Sequence, residues 1–412
     1  EKRISEGEAR GVFLSSALAL KSAPLVVIVG GILLLGPFIN DYVGAEVAVL
    51  LAGAIILQEL AQLSVVVLKG ELRVGETAVL RVAQQVTWVG GGLLLIRYGL
   101  RAEAIIYSLL AGLGVMMAWG WYKSSVSLGR PSVDRARSLF DYSKYNVVSS
   151  IGGYFYSWMD VAIIGLILTQ ADVGAYEVAW RVTAMAMLFS NAIAATVFPQ
   201  ISQWDAENAT DRIESVIRDS ITPSMLLVIP AFFGALVLSE EILGLVFGPE
   251  FTIASIVLII LMGEKILQSV HIILGRSLQA IDQPDLAAVA TVVSIVVNLV
   301  LNIILITSFG IVGAAVATTV SFAINTLLHG YYLSKTVDIV FPYSEVGWAV
   351  LSSVGMAVAL FGLQMLVSVD TLPRLTLTVV LGAGVYFGVL LLFKPLRVKM
   401  VGSGKQFISN FY

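Results

Sequence analysis

Ionisable side chains lie inside long apolar stretches of this sequence, where a charge is costly. An ionised side chain near the centre of a lipid bilayer costs about 2.5–3.5 kcal/mol on insertion scales. Such residues are therefore paired with one another or take part in transport, because lipid offers them no polar partner. Lysine and arginine suit an anionic cargo, whereas carboxylates suit a coupling cation or proton. The residues concerned are Lys21, Glu59, Asp160, Arg181, Glu264 and Lys265.

Depth within the apolar stretches groups four of these residues in two pairs. Asp160 and Arg181 each lie roughly 12 Å below the outer boundary of two adjacent predicted helices, at a rise of 1.5 Å per residue. Their common depth predicts an ion pair; in the alternative, Arg181 binds an anionic ligand and Asp160 binds a coupling ion or proton. Lys21 and Glu59 share a depth of roughly 14 Å from the opposite boundary and form a second predicted pair. Their alternative roles are anion binding for Lys21 and ion coupling for Glu59.

Further polar residues extend these candidates. Glu264 and Lys265 are adjacent on one predicted helix and diverge by about 100°, so we expect that they do not share a partner. One of them is expected to face a cavity, either Lys265 toward cargo or Glu264 toward a coupling ion. Gln58 and Gln62 lie one turn apart. Their amides suit sugar hydroxyls, or they join helices at about 0.6 kcal/mol each.

The elements that position these residues are membrane-spanning helices. Of the 412 residues, 58% are hydrophobic and 13% are charged, with a mean hydropathy of +0.91. A soluble domain carries about 25% charged residues, so the composition excludes a soluble enzyme and predicts an all-α polytopic membrane protein. Apolar runs long enough to cross a bilayer give about twelve spans. Their approximate bounds are 12–38, 45–68, 77–97, 102–122, 143–168, 173–198, 220–247, 251–275, 286–308, 311–333, 346–368 and 374–393.

Charge in the loops predicts the orientation of the chain. When alternate loops are assigned to one side, that side carries most of the lysines and arginines, and Arg97, Arg101 and Arg374 lie opposite. The positive-inside rule makes the first side cytoplasmic, with both termini inside. The net charge of −3 gives no basic excess for nucleic acid. With no cysteine and two histidines, neither a metal centre nor another cofactor is expected.

An internal similarity predicts a repeated architecture. Residues 93–124 align without a gap on residues 304–335, which places Gly99 on Gly310 at an offset of 211 residues. Working outward from this match, four helices of the first part pair with helices of the second, and the spans at 143–168 and 173–198 have no counterpart. Two six-helix lobes explain the pattern if this sequence lacks the first two helices of an expected 14.

The repeat divides the sequence into four predicted regions. Residues 1–122 form the N-terminal lobe, and residues 123–142 form a basic cytoplasmic linker that either lies on the membrane surface or is a plain connection. Residues 143–335 form the C-terminal lobe. Residues 336–412 add two helices and a cytoplasmic tail.

Three segments resemble a known family. They are Phe140 to Arg181, Val197 to Ser202 and Val297 to Ser321, and they are similar to the polysaccharide-biosynthesis (Wzx/RfbX-like) flippases of the multidrug/oligosaccharidyl-lipid/polysaccharide (MOP) exporter superfamily. The resemblance implies a two-lobed, MATE-like helical bundle with twelve to fourteen helices around a central cavity. Asn298 and Asn302 belong to the matching series, and we interpret them as packing residues because they lie one turn apart beside small residues.

The resemblance also implies a function. Family members move a sugar linked to polyprenyl or dolichyl phosphate or pyrophosphate from the inner to the outer leaflet of the cell membrane. Implied partners are this lipid-linked glycan, membrane lipids and glycosyltransferases of the same pathway, without nucleic acid. The alternative is a MATE-like, cation-coupled antiporter of drugs or metabolites, which predicts an acidic cavity with few cations. An enzyme is not expected, because the sequence contains no phosphate-binding loop for ATP hydrolysis.

Overall fold

A computed structural model of the chain describes residues 9–71, 73–100, 102–281 and 283–394, apart from the side chains of 141–157 and a few isolated positions. Every regular element in these ranges is helical. Nine of the described helices are long and apolar enough to cross a membrane, or ten if one bent pair counts as a single span. The predicted all-α polytopic fold is confirmed, whereas the number of twelve spans stays a prediction.

The chain forms two compact units, residues 1–154 and 155–412. In the first unit, the helix Ala102–Lys123 packs against both Ala48–Gly70 and Val74–Arg97. The indole of Trp121 donates a hydrogen bond to the carbonyl oxygen of Leu60 over 3.1 Å, and a Cβ at Gly120 would meet the Ser64 side chain. The helices of this unit are α1 (Arg10–Leu34), α2 (Gly36–Val43), α3 (Ala48–Gly70), α4 (Val74–Arg97) and α5 (Ala102–Lys123), and α6 (Val133–Ile167) continues into the second unit.

The connection between α5 and α6 differs from the predicted linker at 123–142. Helix α6 already begins at Val133. Asp134 in its first turn stabilises this start, because a negative charge interacts favourably with the positive end of the helix dipole. Two of the preceding residues are hydrogen-bonded to α1. The Gly129 amide donates to the Gly11 carbonyl over 3.1 Å, and the Ser132 amide donates to the Ser16 hydroxyl over 2.9 Å. The first part of the predicted linker is thus bound to α1, and the part from Val133 onward is helical. The predicted lobe boundaries stay a prediction.

The second unit contains the longer helices. Thr169 caps the N-terminus of the helix Gln170–Ala186. It forms a capping box with Asp172, in which each side chain accepts a hydrogen bond from the other residue's backbone amide. The predicted span at 173–198 is bent by 51° between α7 and α8. The helices are α7 (Gln170–Ala186), α8 (Leu188–Ala206), α9 (Thr210–Met225), α10 (Val228–Val246), α11 (Ser255–Ala280), α12 (Pro284–Leu333), α13 (Tyr343–Leu366) and α14 (Leu372–Leu390), with a 3₁₀ turn at Pro249–Ala254.

Helix α12 is interrupted at Gly310, between the two spans predicted at 286–308 and 311–333. Gly310 has φ of +59°, which breaks the helical path, and a Cβ at Gly313 would lie 2.1 Å from the Leu305 carbonyl oxygen. The two arms of α12 therefore approach each other closely because glycine is present. Gly99, its aligned partner in the first unit, also has positive φ, at +94°. This shared conformation supports the internal repeat.

Candidate functional site

Asp160 is the centre of a buried polar cluster in the second unit. The Tyr176 hydroxyl donates to Asp160 Oδ2 over 2.7 Å, and the Thr318 hydroxyl donates to the same oxygen over 2.5 Å. The Asn302 amide donates to Oδ1 over 2.6 Å. These three described partners are neutral. The carboxylate is thus hydrogen-bonded on both oxygens without a cation to balance its charge.

A second layer extends this cluster along α12. The Asn302 amide also donates to Asn298 Oδ1 over 3.0 Å, and the Asn298 amide donates to Thr318 Oγ1 over 3.3 Å. Asn302 Oδ1 is buried with no hydrogen-bond partner among the described residues. Asn298 and Asn302 therefore do more than the packing that the sequence indicated: Asn302 donates to Asp160, and Asn298 joins Asn302 to Thr318.

Helix positions explain why these side chains converge. Asn298 and Asn302 lie one turn apart on the arm of α12 before Gly310, so both project from one face. Thr318 lies on the arm after Gly310, and the hairpin returns it to the same level. The fully buried Ala314 and Ala315 let the helices approach closely at this point.

Glu264 and Lys265 form an ion pair next to this cluster. Their charged groups, Lys265 Nζ and Glu264 Oε2, are 2.7 Å apart, and their side chains are 3% and 0% exposed. The expectation that one of the two faces a cavity is confirmed for Lys265. Their pairing with each other was not predicted and arises because the long lysine stem curls back to its neighbour on α11. Lys265 Nζ also lies 5.5 Å from the centre of the Trp180 ring, within range of a cation–π interaction.

A cavity of about 120 Å³ connects Asp160 with Lys265. Liquid water occupies about 30 Å³ per molecule, so the cavity has room for about four waters or a small ion with its hydration. Lys265 lines it, whereas Glu264 does not. The lining residues are Asp160, Trp180, Lys265, Gln268, Asn298, Thr318 and Phe322.

Arg181 does not join this cluster. Its guanidinium pairs with Glu177 over 2.7 Å, one turn earlier on α7, and its side chain is 65% exposed. The predicted ion pair between Asp160 and Arg181 is therefore absent from this structure. The Asp160 side chain instead bonds to Asn302 and Thr318 on α12, and Arg181 bonds to the nearer carboxylate of Glu177.

In the first unit, the predicted pair of Lys21 and Glu59 is confirmed. Lys21 Nζ lies 2.7 Å from Glu59 Oε2, and the two side chains are 51% and 42% exposed. On the same helix as Glu59, Gln58 is exposed and Gln62 is half-buried. Arg81, an exposed side chain on α4, is a further cation that was not among the predicted site residues. Its position seven residues after Val74 places it inside a span rather than at its end.

Tyr176 and Gln268 are further cluster residues that sequence reasoning missed. Tyr176 is fully buried and hydrogen-bonded to Asp160, and Gln268 lines the cavity one turn after Glu264 on α11. Tyr176 falls in a segment already matched to the flippase family, which was the available signal. Gln268 carries no such signal.

Ionisable side chains buried among apolar helices, as in this cluster, are typical of membrane transporters. Comparison with known families agrees with this class. Residues 2–256 match the family of polysaccharide biosynthesis proteins, and residues 158–391 match the family of lipid II flippase MurJ. The chain belongs to the polysaccharide-biosynthesis flippases, as the resemblance in its sequence implied.

Individual relatives agree with this assignment. The chain is 64% identical over 397 residues to the probable low-salt glycan biosynthesis flippase Agl15 of Haloferax volcanii. The aligned residues cover 96% of this chain and 84% of the relative. Its fold is similar to that of lipid II flippase MurJ in an inward closed conformation, with a TM-score of 0.80, 18% identity, and coverage of 96% and 87% of the two chains. A MOP superfamily transporter from Pyrococcus furiosus gives a TM-score of 0.52, 13% identity and 80% coverage of each chain.

Proposed function

We propose that the chain moves a lipid-linked glycan from the cytoplasmic leaflet to the outer leaflet of the cell membrane. The observation that carries this proposal is the 64% identity, over nearly the whole chain, to a protein named as a glycan biosynthesis flippase. A transporter of this kind must shield a polar glycan and its phosphate while the lipid tail remains in the bilayer. Polar and charged side chains within the helices meet that need, and they include both signs of charge.

The orientation and partners follow from the same proposal. Both ends of the chain face the cytoplasm, where the basic loops lie. Glycosyltransferases of the same pathway assemble the glycan on a polyprenyl or dolichyl phosphate or pyrophosphate, and the flippase receives it there.

Charge counting supports Asp160 as the coupling-ion site. Glu264 pairs with Lys265 and Glu59 pairs with Lys21, so each of these carboxylates already has a cation. Asp160 has neutral described partners, which leaves one uncompensated negative charge when it is ionised. Because an uncompensated charge in the membrane interior is costly, one monovalent cation or one proton at Asp160 balances the cluster.

The cargo contacts are proposed from the remaining charged and amide residues. Lys21, Arg181 and Lys265 offer cations to the phosphate, and Gln58 and Gln62 offer amides to sugar hydroxyls. The exposure of Lys21 and Arg181 beside their carboxylates supports this role, since an exposed ion pair contributes little to stability and opens at little cost.

Leaflet-specific measurement of the glycan tests the proposal. In cells that lack the gene, we expect lipid-linked glycan to accumulate on the cytoplasmic leaflet, and the wild-type gene to restore its delivery. Lys21→Gln and Arg181→Gln are each expected to lower delivery at unchanged protein abundance. Lys265→Gln breaks a buried ion pair and is expected to lower delivery per molecule of protein, whereas Lys335→Gln, just after α12, serves as the control.

Two outcomes would contradict different parts of the proposal. Normal delivery in cells without the gene would refute the flippase function. Normal delivery by all three glutamine variants at normal abundance would refute the cargo contacts but leave the function standing.

A further inference from the structure

Lys265 contacts one carboxylate and shares a cavity with another. Glu264, its neighbour on α11, contacts it at 2.7 Å, and Asp160 lines the same cavity of about 120 Å³. Both oxygens of Glu264 lack a hydrogen bond of good geometry. The ion pair is thus held by charge without the directional hydrogen bonds that would fix it in one arrangement.

The lysine stem has the freedom to change partner. Lys265 lines the cavity, and its ammonium group lies 5.5 Å from the centre of the Trp180 ring, which lines the same cavity. Lysine carries a compact charge on a flexible four-carbon stem. A rotation of that stem across a space of about four water molecules brings the ammonium group toward Asp160 without movement of the helices.

Charge balance decides which partner Lys265 takes. Asp160, Glu264 and Lys265 together carry one net negative charge when all are ionised. Without a bound cation, Lys265 lowers the electrostatic cost most by sharing its charge between the two carboxylates. With a cation at Asp160, the cluster is neutral. Lys265 then no longer has to balance Asp160, so it stays with Glu264 and presents its remaining N–H groups to an anion in the cavity.

We propose that Lys265 substitutes for the coupling cation at Asp160, and that cation binding releases it to contact an anionic group of the cargo in the cavity. The inference rests on the proposed coupling-ion site and deepens it. Cation binding and anion binding are then coupled through one side chain. Thermodynamic linkage requires the coupling to be reciprocal, so that each ligand strengthens the other by the same factor.

Binding measurements on the purified full chain in detergent test the inference. The anionic probe is geranylgeranyl monophosphate, and its dissociation constant is measured in NaCl and in choline chloride of equal concentration. We expect sodium to tighten probe binding by about 5–150-fold in the wild type, the usual range of such coupling. In Lys265→Gln we expect sodium and the probe to bind independently. The ratio of the probe's dissociation constants in choline chloride and in NaCl should then approach one.

A simple field effect predicts a different result. If Lys265 acted only as a fixed positive charge, sodium would still draw the anion into the cavity of Lys265→Gln, and the sodium dependence would persist. Persistence in that variant would overturn the inference. Glu264→Gln provides a second variant: it frees Lys265 for Asp160, so we expect weaker sodium binding but retained coupling to the probe.

Further controls separate this inference from the proposals on which it rests. Lys335→Gln removes a cation outside the cluster and is expected to keep the wild-type sodium dependence. Asp160→Asn is expected to remove the sodium effect altogether. If Asp160→Asn retains it, the coupling-ion site itself is wrong; if Asp160→Asn loses it and Lys265→Gln keeps it, only the exchange of Lys265 is wrong.

Discussion

The ion pair of Glu264 and Lys265 leads to a quantitative prediction about stability. Its side chains are 0% and 3% exposed, so neither charge reaches solvent if its partner is removed. Removing one partner of a buried ion pair costs about 3–5 kcal/mol, because the remaining charge is stranded. Replacing both with neutral residues of similar volume is often neutral or stabilising.

The neighbouring carboxylate makes the two single substitutions unequal. Lys265→Gln leaves Asp160 and Glu264 without a cation, and we expect it to lose about 3–5 kcal/mol of unfolding free energy. Glu264→Gln leaves Lys265 with Asp160 in the same cavity, so its loss is expected to be smaller. The double variant is expected to lie within about 1 kcal/mol of the wild type, since no unpaired charge from this pair remains.

Equilibrium unfolding in mixed dodecyl sulfate and dodecyl maltoside micelles provides the assay. Arg374→Gln is the matched control, because it breaks the exposed pair with Asp370 at 2.6 Å and is expected to cost less than about 1 kcal/mol. If both single variants at the buried pair behave like this control, and the double variant shows no recovery, the two charges are not coupled in the folded protein. The account of the cluster would then fail.

Further predictions concern the backbone, a buried hydroxyl and the orientation of the chain. Gly313→Ala places a methyl group 2.1 Å from a backbone carbonyl oxygen and should destabilise the α12 hairpin by about 1–3 kcal/mol, whereas Gly174→Ala on α7, with open space around it, should be tolerated in the same unfolding assay. Tyr386→Phe removes a 2.8 Å hydrogen bond to a backbone carbonyl and should cost about 1–3 kcal/mol by that measurement. The chain has no cysteine, so single cysteines report sidedness: a membrane-impermeant maleimide should label Ser368→Cys on intact cells and Ser344→Cys only after lysis, and the reverse pattern would invert the predicted topology.

Apolar run length made much of the fold predictable. Most predicted spans, such as 45–68 and 77–97, correspond to single helices, because the bilayer demands about twenty apolar residues per crossing. The span at 173–198 was wrong in shape: its apolar run is continuous, and nothing in the hydropathy marks the bend after Ala186. Helix α6 begins earlier than predicted because hydropathy does not register its polar first turns.

The partners of the candidate-site residues were not predictable from depth along the helices. The depth argument placed Asp160 and Arg181 at one level, yet it gave no information on the side of the helix to which each side chain turns. Nearby residues determine the partners of the two cations. Arg181 pairs with Glu177, one turn away, and Lys265 pairs with its neighbour Glu264. The Asp160 cluster also joins residues far apart in sequence, including Thr318, which only the packing of α6, α7 and α12 brings together.

Transport by the purified protein tests the central claim most directly. The full chain is reconstituted into liposomes that carry a fluorescent polyprenyl pyrophosphate-linked oligosaccharide, and a membrane-impermeant quencher reports the fraction in each leaflet. We expect wild-type protein to move the probe between leaflets faster in a sodium gradient than without one, and Asp160→Asn to lose that acceleration. Transfer no faster than in protein-free liposomes, under either condition, would contradict the account that this chain is a lipid-linked glycan flippase.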